Sequence, residues 1–88
     1  MEHLKLPEIM TTDEINMFYK NVGYNIKQLR KAKKISQLEM ALSIGHTSVS
    51  FYVNAENAIR NKRFNLEHLA KIAKVLNIDI CEFFKPKS

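Results

Sequence analysis

From Ile35 to Ala55 the chain carries a single charged side chain, Glu39, although 26% of all its residues are charged. Gly45 divides this segment into two runs of similar length. Ser36 and Glu39 have the spacing of a capping box, which predicts the start of one helix, and Thr47 is a candidate N-cap for a second. Gly45 can take left-handed backbone at no steric cost. The segment therefore predicts two short helices joined by a tight turn.

Three further segments have helical patterns. Apolar residues at three- and four-residue steps predict a long helix over 13–33, capped by Thr11, with Gly23 as a candidate kink. Asn65 is placed to cap another helix, and Asn77 is placed to end it in left-handed backbone. A short last helix follows around Phe83 and Phe84. No segment alternates convincingly as a strand, so we expect an all-α chain of five helices.

The net charge of +5 is concentrated in the middle of the 88 residues. Residues 1–25 sum to −2, residues 26–63 to +6, and residues 64–88 to +1. This distribution indicates a polyanionic partner, either nucleic acid or an anionic membrane surface, although a solvated basic face without a partner also fits. The single cysteine, Cys81, allows no intrachain disulfide, and no apolar run approaches the roughly 18 residues of a membrane span. We expect one cytoplasmic domain.

Signals of catalysis are missing from the sequence. It contains no Gly-rich phosphate loop, no Cys/His spacing typical of a metal site, and no close set of nucleophile, base and orienting acid. The histidines, His3, His46 and His68, are far apart along the chain. We therefore expect no enzymatic activity, no metal and no cofactor.

The two short helices around Gly45 follow the helix-turn-helix plan. Ala41 lies four residues before the glycine, where a bulky side chain would keep the helices apart. Phe51 lies six residues after it, where we expect the ring to point into the core between the helices. This pattern favours a helix-turn-helix motif.

The chain from Ile26 to Phe84 resembles the DNA-binding domain of the phage Cro and repressor (XRE) family. The matching stretches are LRKAKKISQLEMALSIG, AEN and FNLEHLAKIAKVLNIDICEFF. The resemblance implies a compact five-helix lambda-repressor-like domain over 26–84, preceded by an N-terminal arm and helical extension over 1–25 and followed by a tail over 85–88. It also implies a structural pair between Arg30 and Glu56.

Two positions depart from the family pattern. The acidic partner usually lies ten residues after the turn glycine, but Glu56 lies eleven after Gly45. The residue two beyond it is usually glycine and here is Ala58. Both departures concern the end of the third helix and the loop after it.

In this family the third helix enters the major groove and basic flanks meet phosphates, which would explain the uncharged segment. The base-reading candidates are Ser48, Val49, Tyr52, Val53 and Asn54. Tyr52 also fits a core position, with Val53 then facing outward. The phosphate-binding candidates are Ser36, Gln37, Thr47, Arg60, Lys62 and Arg63.

These observations predict a sequence-specific transcriptional regulator of double-stranded DNA, in particular a repressor acting as a homodimer on an inverted-repeat operator. The dimer surface is either the N-terminal extension or the last helix. The last helix is favoured, because the resembled family often uses that end, and the extension then covers the core or adds to the interface. The alternative is an antitoxin-like module that uses the helix-turn-helix surface to bind a partner protein. Salt distinguishes the two, because only binding through phosphates weakens steeply as salt rises. A membrane partner is disfavoured, since the basic residues do not share one helix with a large apolar face.

Overall fold

The computed structural model describes residues 9–87, so most of the predicted N-terminal arm and the last residue of the tail lie outside the described residues. Four α-helices follow one another: α1 (Thr12–Ala32), α2 (Gln37–Ser43), α3 (Val49–Asn57) and α4 (Leu66–Leu76). The fifth predicted helix is a 3-10 helix, Ile80–Phe84. The expected all-α class is confirmed for the described residues, and the count of five α-helices is wrong.

The predicted helix starts are present as capping boxes. At the start of α1, the Thr11 hydroxyl accepts from the Glu14 backbone N–H at 3.1 Å, and the Glu14 carboxylate accepts from the Thr11 N–H at 2.8 Å. Ser36 and Glu39 make the same two bonds at the start of α2. Asn65 caps α4 as predicted. Local sequence thus determines where three of the helices begin.

The turn between α2 and α3 differs from the prediction. Gly45 has φ +91°, and the His46 N–H donates to the Ala41 carbonyl at 2.9 Å, which closes the end of α2. The N-cap of α3 is Ser48, whose hydroxyl accepts from the Ser50 N–H, so the assignment of the cap to Thr47 is wrong. The turn is thus one residue longer than expected. This extra residue accounts for the eleven-residue spacing to Glu56.

The longer turn also changes which side of α3 faces the core. Tyr52 is fully buried, whereas Phe51 is half-buried and packs against the edge of the core. One residue corresponds to about 100° around a helix, so a cap at Ser48 rather than Thr47 rotates every side chain of α3 by that amount. Phe51 therefore packs against the edge of the core, and Tyr52 takes the fully buried position between the helices that was expected for Phe51.

Gly23 does not kink α1, which is one continuous helix over Thr12–Ala32. A Cβ at this position would lie 2.0 Å from the backbone carbonyl oxygen of Glu56 in α3. The glycine therefore allows α1 and α3 to approach closely, and the expected kink is absent. Because α1 is continuous, the helical extension of residues 12–25 is part of the same helix that enters the main domain.

The core is one cluster of buried side chains to which all four α-helices and the 3-10 helix contribute. Ala41 is fully buried at the α2–α3 crossing, as the motif requires. The largest fully buried side chains come from all five elements: Tyr52, Phe83, Ile26, Met40, Ile72 and Leu76. No helix within the described range is long and apolar enough to cross a membrane.

Candidate nucleic-acid interface

A buried polar cluster joins α1, α2 and α3. Arg30 donates from Nε to Oε2 of Glu56 at 2.9 Å and from Nη2 to Oε1 at 3.1 Å. The Tyr52 hydroxyl donates to Oε2 of the same carboxylate at 2.7 Å. Gln37, the first residue of α2, donates from Nε2 to Oε1 at 3.0 Å. One carboxylate therefore holds side chains from three helices, and the predicted pair of Arg30 and Glu56 is present.

Electrostatics favour the charged form of Arg30. The hydrogen bonds from Arg30 to Glu56 raise the pKa of the guanidinium, although burial opposes the change. Burial, followed by the bond to Glu56, raises the pKa of Tyr52, so its hydroxyl remains a donor. Among the described residues, no buried side-chain nitrogen or oxygen lacks a hydrogen-bond partner. Such a saturated cluster fixes the end of α3 relative to α1 and α2.

The burial of Tyr52 overturns its assignment as a base-reading residue. Its ring has no exposed surface, and its hydroxyl is bonded to Glu56. The opposite side of α3 faces outward: Ser50 and Asn57 are exposed, and Val53 and Asn54 are partly exposed. This outward face has no charged side chain.

Ser50 and Asn57 were missed by the sequence prediction. They share one face with Asn54, because positions i, i+4 and i+7 line up along a helix. The sequence did contain this signal. If Tyr52 is taken as the core residue of α3, then Ser50, Asn54 and Asn57 fall on the opposite side of the helix. Ser48 and Val49 remain accessible at the amino end of α3, where the Ser48 hydroxyl contacts that of Ser50 at 2.9 Å.

The loop after α3 carries the predicted basic residues in different environments. Arg60 and Lys62 are exposed, and Arg60 has left-handed backbone with φ +55°. Arg63 is half-buried: Nη2 donates to Asn16 at 2.7 Å, and its guanidinium carbon lies 4.6 Å from the centre of the Tyr19 ring. Arg63 therefore fastens the loop to the first half of α1, and we correct its assignment as a phosphate ligand.

The remaining candidates lie at the two ends of α2. Ser36 is exposed at the amino end, beside the half-buried Gln37, and Thr47 is exposed in the turn after the carboxyl end. Exposed Lys31, Lys33 and Lys34 immediately precede α2. A helix amino terminus with nearby cations is a favourable environment for a phosphate.

Two histidines that are distant in the sequence meet in space. Nε2 of His46, in the turn, lies 3.0 Å from Nε2 of His68 in α4. Nδ1 of His68 accepts from the Asn65 N–H at 3.0 Å, so it carries no proton, and the neutral ring must donate from Nε2 to His46. The His46 ring also stacks on Phe51 with ring centres 4.4 Å apart. The pair fastens the turn to the start of α4.

Comparison with known proteins supports the helix-turn-helix resemblance that the sequence indicated. The helix-turn-helix family model HTH_3 matches residues 26–83, which are more than half of the chain. No curated protein and no solved structure gives a significant match. The matched residues include α2, the turn, α3 and the buried cluster around Glu56. The protein therefore belongs to the XRE-type helix-turn-helix family of DNA-binding transcription regulators.

Proposed function

We propose that the protein is a sequence-specific repressor that binds an inverted-repeat operator as a homodimer. The observation that carries this proposal is the uncharged outward face of α3, held in one orientation by the Glu56 cluster and flanked along the chain by basic residues. A rigid reader suits base recognition, because each base contact depends on a fixed position of the helix in the groove.

The outward face of α3 contains groups suited to base edges. Asn54 and Asn57 can each make paired hydrogen bonds to adenine, and Val53 can pack on a thymine methyl group. Ser50 and the accessible amino-end residues, Ser48 and Val49, complete the set. None of these side chains is an arginine or lysine, the usual partners of guanine. We therefore propose an operator rich in A·T pairs beneath α3.

Phosphate contacts fall on both sides of this reader. Ser36 and Gln37 lie at the amino end of α2, Thr47 lies in the turn, and Arg60 and Lys62 lie in the loop after α3. A phosphate bound by Gln37 would be linked directly to the reader helix, because the same amide donates to Glu56. Each cationic contact that is removed should reduce the salt dependence of binding by about one unit of slope.

Two copies are needed for selective binding. A single small module buries only about 600–1,000 Å² on DNA, whereas a two-fold dimer reads two half-sites one helical turn apart. A dimer bound where an operator overlaps a promoter excludes other proteins from that DNA. This is the physical basis of the proposed repression.

The test is selection of bound sites from a random pool of double-stranded DNA. We expect the wild-type protein to enrich an inverted repeat, and Asn54→Ala to alter the same positions in both halves. Gln28→Ala is the matched control, because it removes an exposed amide from α1. Enrichment that Asn54→Ala leaves unchanged would contradict its place in the reader. No enrichment at low salt would contradict the regulator and favour the protein-binding alternative.

A further inference from the structure

Two grooves run along the side of α1 that meets α3. The first groove lies beside the last turn of α3, and the residues that line it are Lys20, Tyr24, Lys27, Glu56, Asn57 and Lys87. The second lies between the first half of α1 and the loop after α3, and Lys20 lines it together with Arg60. We call Lys20, Lys27 and Arg60 the Lys20–Arg60 band.

The spacing along α1 places the two lysines of the band beside the contact with α3. Lys20 and Lys27 are seven residues apart, which is two turns, so they lie on the same side of the helix. Gly23 lies between them on that side, where its missing side chain allows the backbone of Glu56 to approach. The lysines therefore flank the point at which α1 and α3 touch.

A second contact brings Arg60 to the same place. Arg63 donates from Nη2 to Asn16 at 2.7 Å, which fastens the loop after α3 to the first half of α1. Arg60, three residues earlier in this loop, is exposed and has left-handed backbone. It lines the same groove as Lys20. The fold thus gathers cations from α1 and from the loop on one surface.

The positive charge of this surface is not neutralised by the described chain. Lys20, Lys27 and Arg60 take part in none of the salt bridges among the described residues. The carboxylate of Glu56 is fully buried, and its oxygens already accept from three side chains of the polar cluster. Asp13, the other acid that lines the grooves, lies about 10 Å along α1 from Lys20 at 1.5 Å per residue. The band therefore offers free cations to an anion.

The band lies where the wall of a DNA groove would run. Asn57, the last residue of α3, is exposed on the outward face and also lines the first groove. A helix with its side chains is about 10–12 Å wide and the major groove is about 12 Å wide, so groups beside the reader helix meet sugar and phosphate. Lys20 and Lys27 are about 10 Å apart along α1, a length over which one strand presents about three phosphates.

We propose that Lys20 and Lys27 are phosphate-binding residues that contact, together with Arg60, the DNA backbone at the carboxyl end of α3. The inference rests on the proposed function in taking α3 as the reader helix. Lys20 lies outside residues 26–83, which the family model matches. The amino-terminal extension of α1 thus adds a DNA contact to those of the helix-turn-helix domain.

The test is the salt dependence of binding to a duplex that carries the inverted repeat enriched by the wild type. For Lys20→Gln we expect the slope of log K against log salt to fall by about one unit per bound copy. Near 0.1 M salt this corresponds to binding about five- to tenfold weaker per copy. Lys27→Gln should behave alike, and the double variant should lose about two units per copy.

Two further variants separate a phosphate contact from other effects of the substitution. Lys20→Arg keeps the charge and should bind like wild type. Lys74→Gln is the matched control, because it removes the same charge from an exposed lysine on α4, in a groove that contains no residue of α3. It should leave the slope unchanged. Circular dichroism verifies that the variants keep their helices.

Ethylation interference identifies the phosphates concerned, because ethylation removes the charge of a single phosphate. We expect one or two phosphates in each half of the repeat whose ethylation weakens the wild type but not Lys20→Gln. The base sequence enriched by Lys20→Gln should match that of the wild type, since a phosphate contact carries no base information. An altered consensus would instead make Lys20 a base-reading residue and overturn its assignment to phosphate.

The outcomes distinguish this inference from the proposed function. A wild-type slope and a wild-type interference pattern for Lys20→Gln would overturn the band and retain the repressor. An equal loss in Lys74→Gln would show an effect of net charge and also reject the band. A wild-type protein that enriches no DNA would reject the proposed function and the inference together.

Discussion

Gly23 and Glu56 touch through their backbones: a Cβ on residue 23 would stand 2.0 Å from the Glu56 carbonyl oxygen. This carbonyl belongs to the residue whose carboxylate holds Arg30, Tyr52 and Gln37. The position of α3 is thus determined on one side by a backbone contact and on the other by a buried ionic cluster. Any residue larger than glycine must push the two helices apart.

Gly23→Ala should therefore destabilise the protein, although alanine is the better helix former by about 1 kcal/mol. We expect a net loss of about 2 kcal/mol or more in the free energy of unfolding, since the obstacle is backbone and cannot rotate away. Urea unfolding measures this loss. Gly45→Ala is the comparison: its methyl group would meet no atom within 4 Å, so only the strain of φ +91°, about 1 kcal/mol, should appear. A stabilised Gly23→Ala protein would show that the helices separate freely.

Tyr52→Phe should lower stability without changing the DNA sequence that is bound. The ring is buried and its hydroxyl donates to a buried carboxylate, so its removal should cost about 1.5–3 kcal/mol. Chemical denaturation and site selection on the same variant provide the two measurements. A changed consensus with unchanged stability would restore Tyr52 to the base-reading set.

Ala58→Gly should stabilise the chain. Ala58 ends α3 in left-handed backbone with φ +53°, a conformation that costs a non-glycine residue roughly 1–2 kcal/mol. The buried methyl group offsets part of that gain, so we expect an increase of about 0.5–1 kcal/mol in unfolding free energy. Thermal or urea unfolding tests this. A destabilised variant would mean that packing of the methyl group outweighs the strain.

Acid should weaken the fold through His68. Burial lowers the pKa of His68 below its ordinary 6.5; the neighbouring His46, and to a smaller extent Lys71, act in the same direction, while Glu67 opposes them. The unfolded chain therefore binds the proton more readily than the folded one. The free energy of unfolding should be highest above pH 6.5 and fall as the pH drops from 6.5 through the lowered pKa.

His68→Gln isolates this contribution, because glutamine can replace His68 in the capping box with Asn65. Urea unfolding at pH 7.5 and 5.5 should show a smaller pH effect for the variant than for wild type. Equal pH effects in the two proteins would mean that His68 is not the responsible group.

Local features of the sequence determined most of the helix boundaries. Thr11, Ser36 and Asn65 cap their helices as predicted, and Asn77 ends α4 in left-handed backbone with φ +55°. Capping depends on hydrogen bonds within a few residues, so the signals remain readable without the fold. The last helix was misassigned in type because a five-residue segment is too short for periodicity to distinguish 3-10 from α geometry.

Which side of α3 faces the core depends on contacts with residues that are distant in the sequence. Adjacent Phe51 and Tyr52 are both large and aromatic, so pattern alone could not choose between them. The choice came from the Ser48 cap and from Glu56, whose carboxylate binds partners from residues 30, 37 and 52 at once. The contact between His46 and His68 also depends on the fold, because the two residues are far apart in the sequence.

Local sequence is enough to predict that the chain is helical, where most of its helices start and stop, and that an uncharged segment lies between basic ones. Each of these properties depends on neighbouring residues. Packing of the folded chain sets the rotation of α3, the close approach of α1 and α3 at Gly23, and the contact of Arg63 with α1. These depend on atoms far apart in the chain, whose distances are set by packing of the whole core.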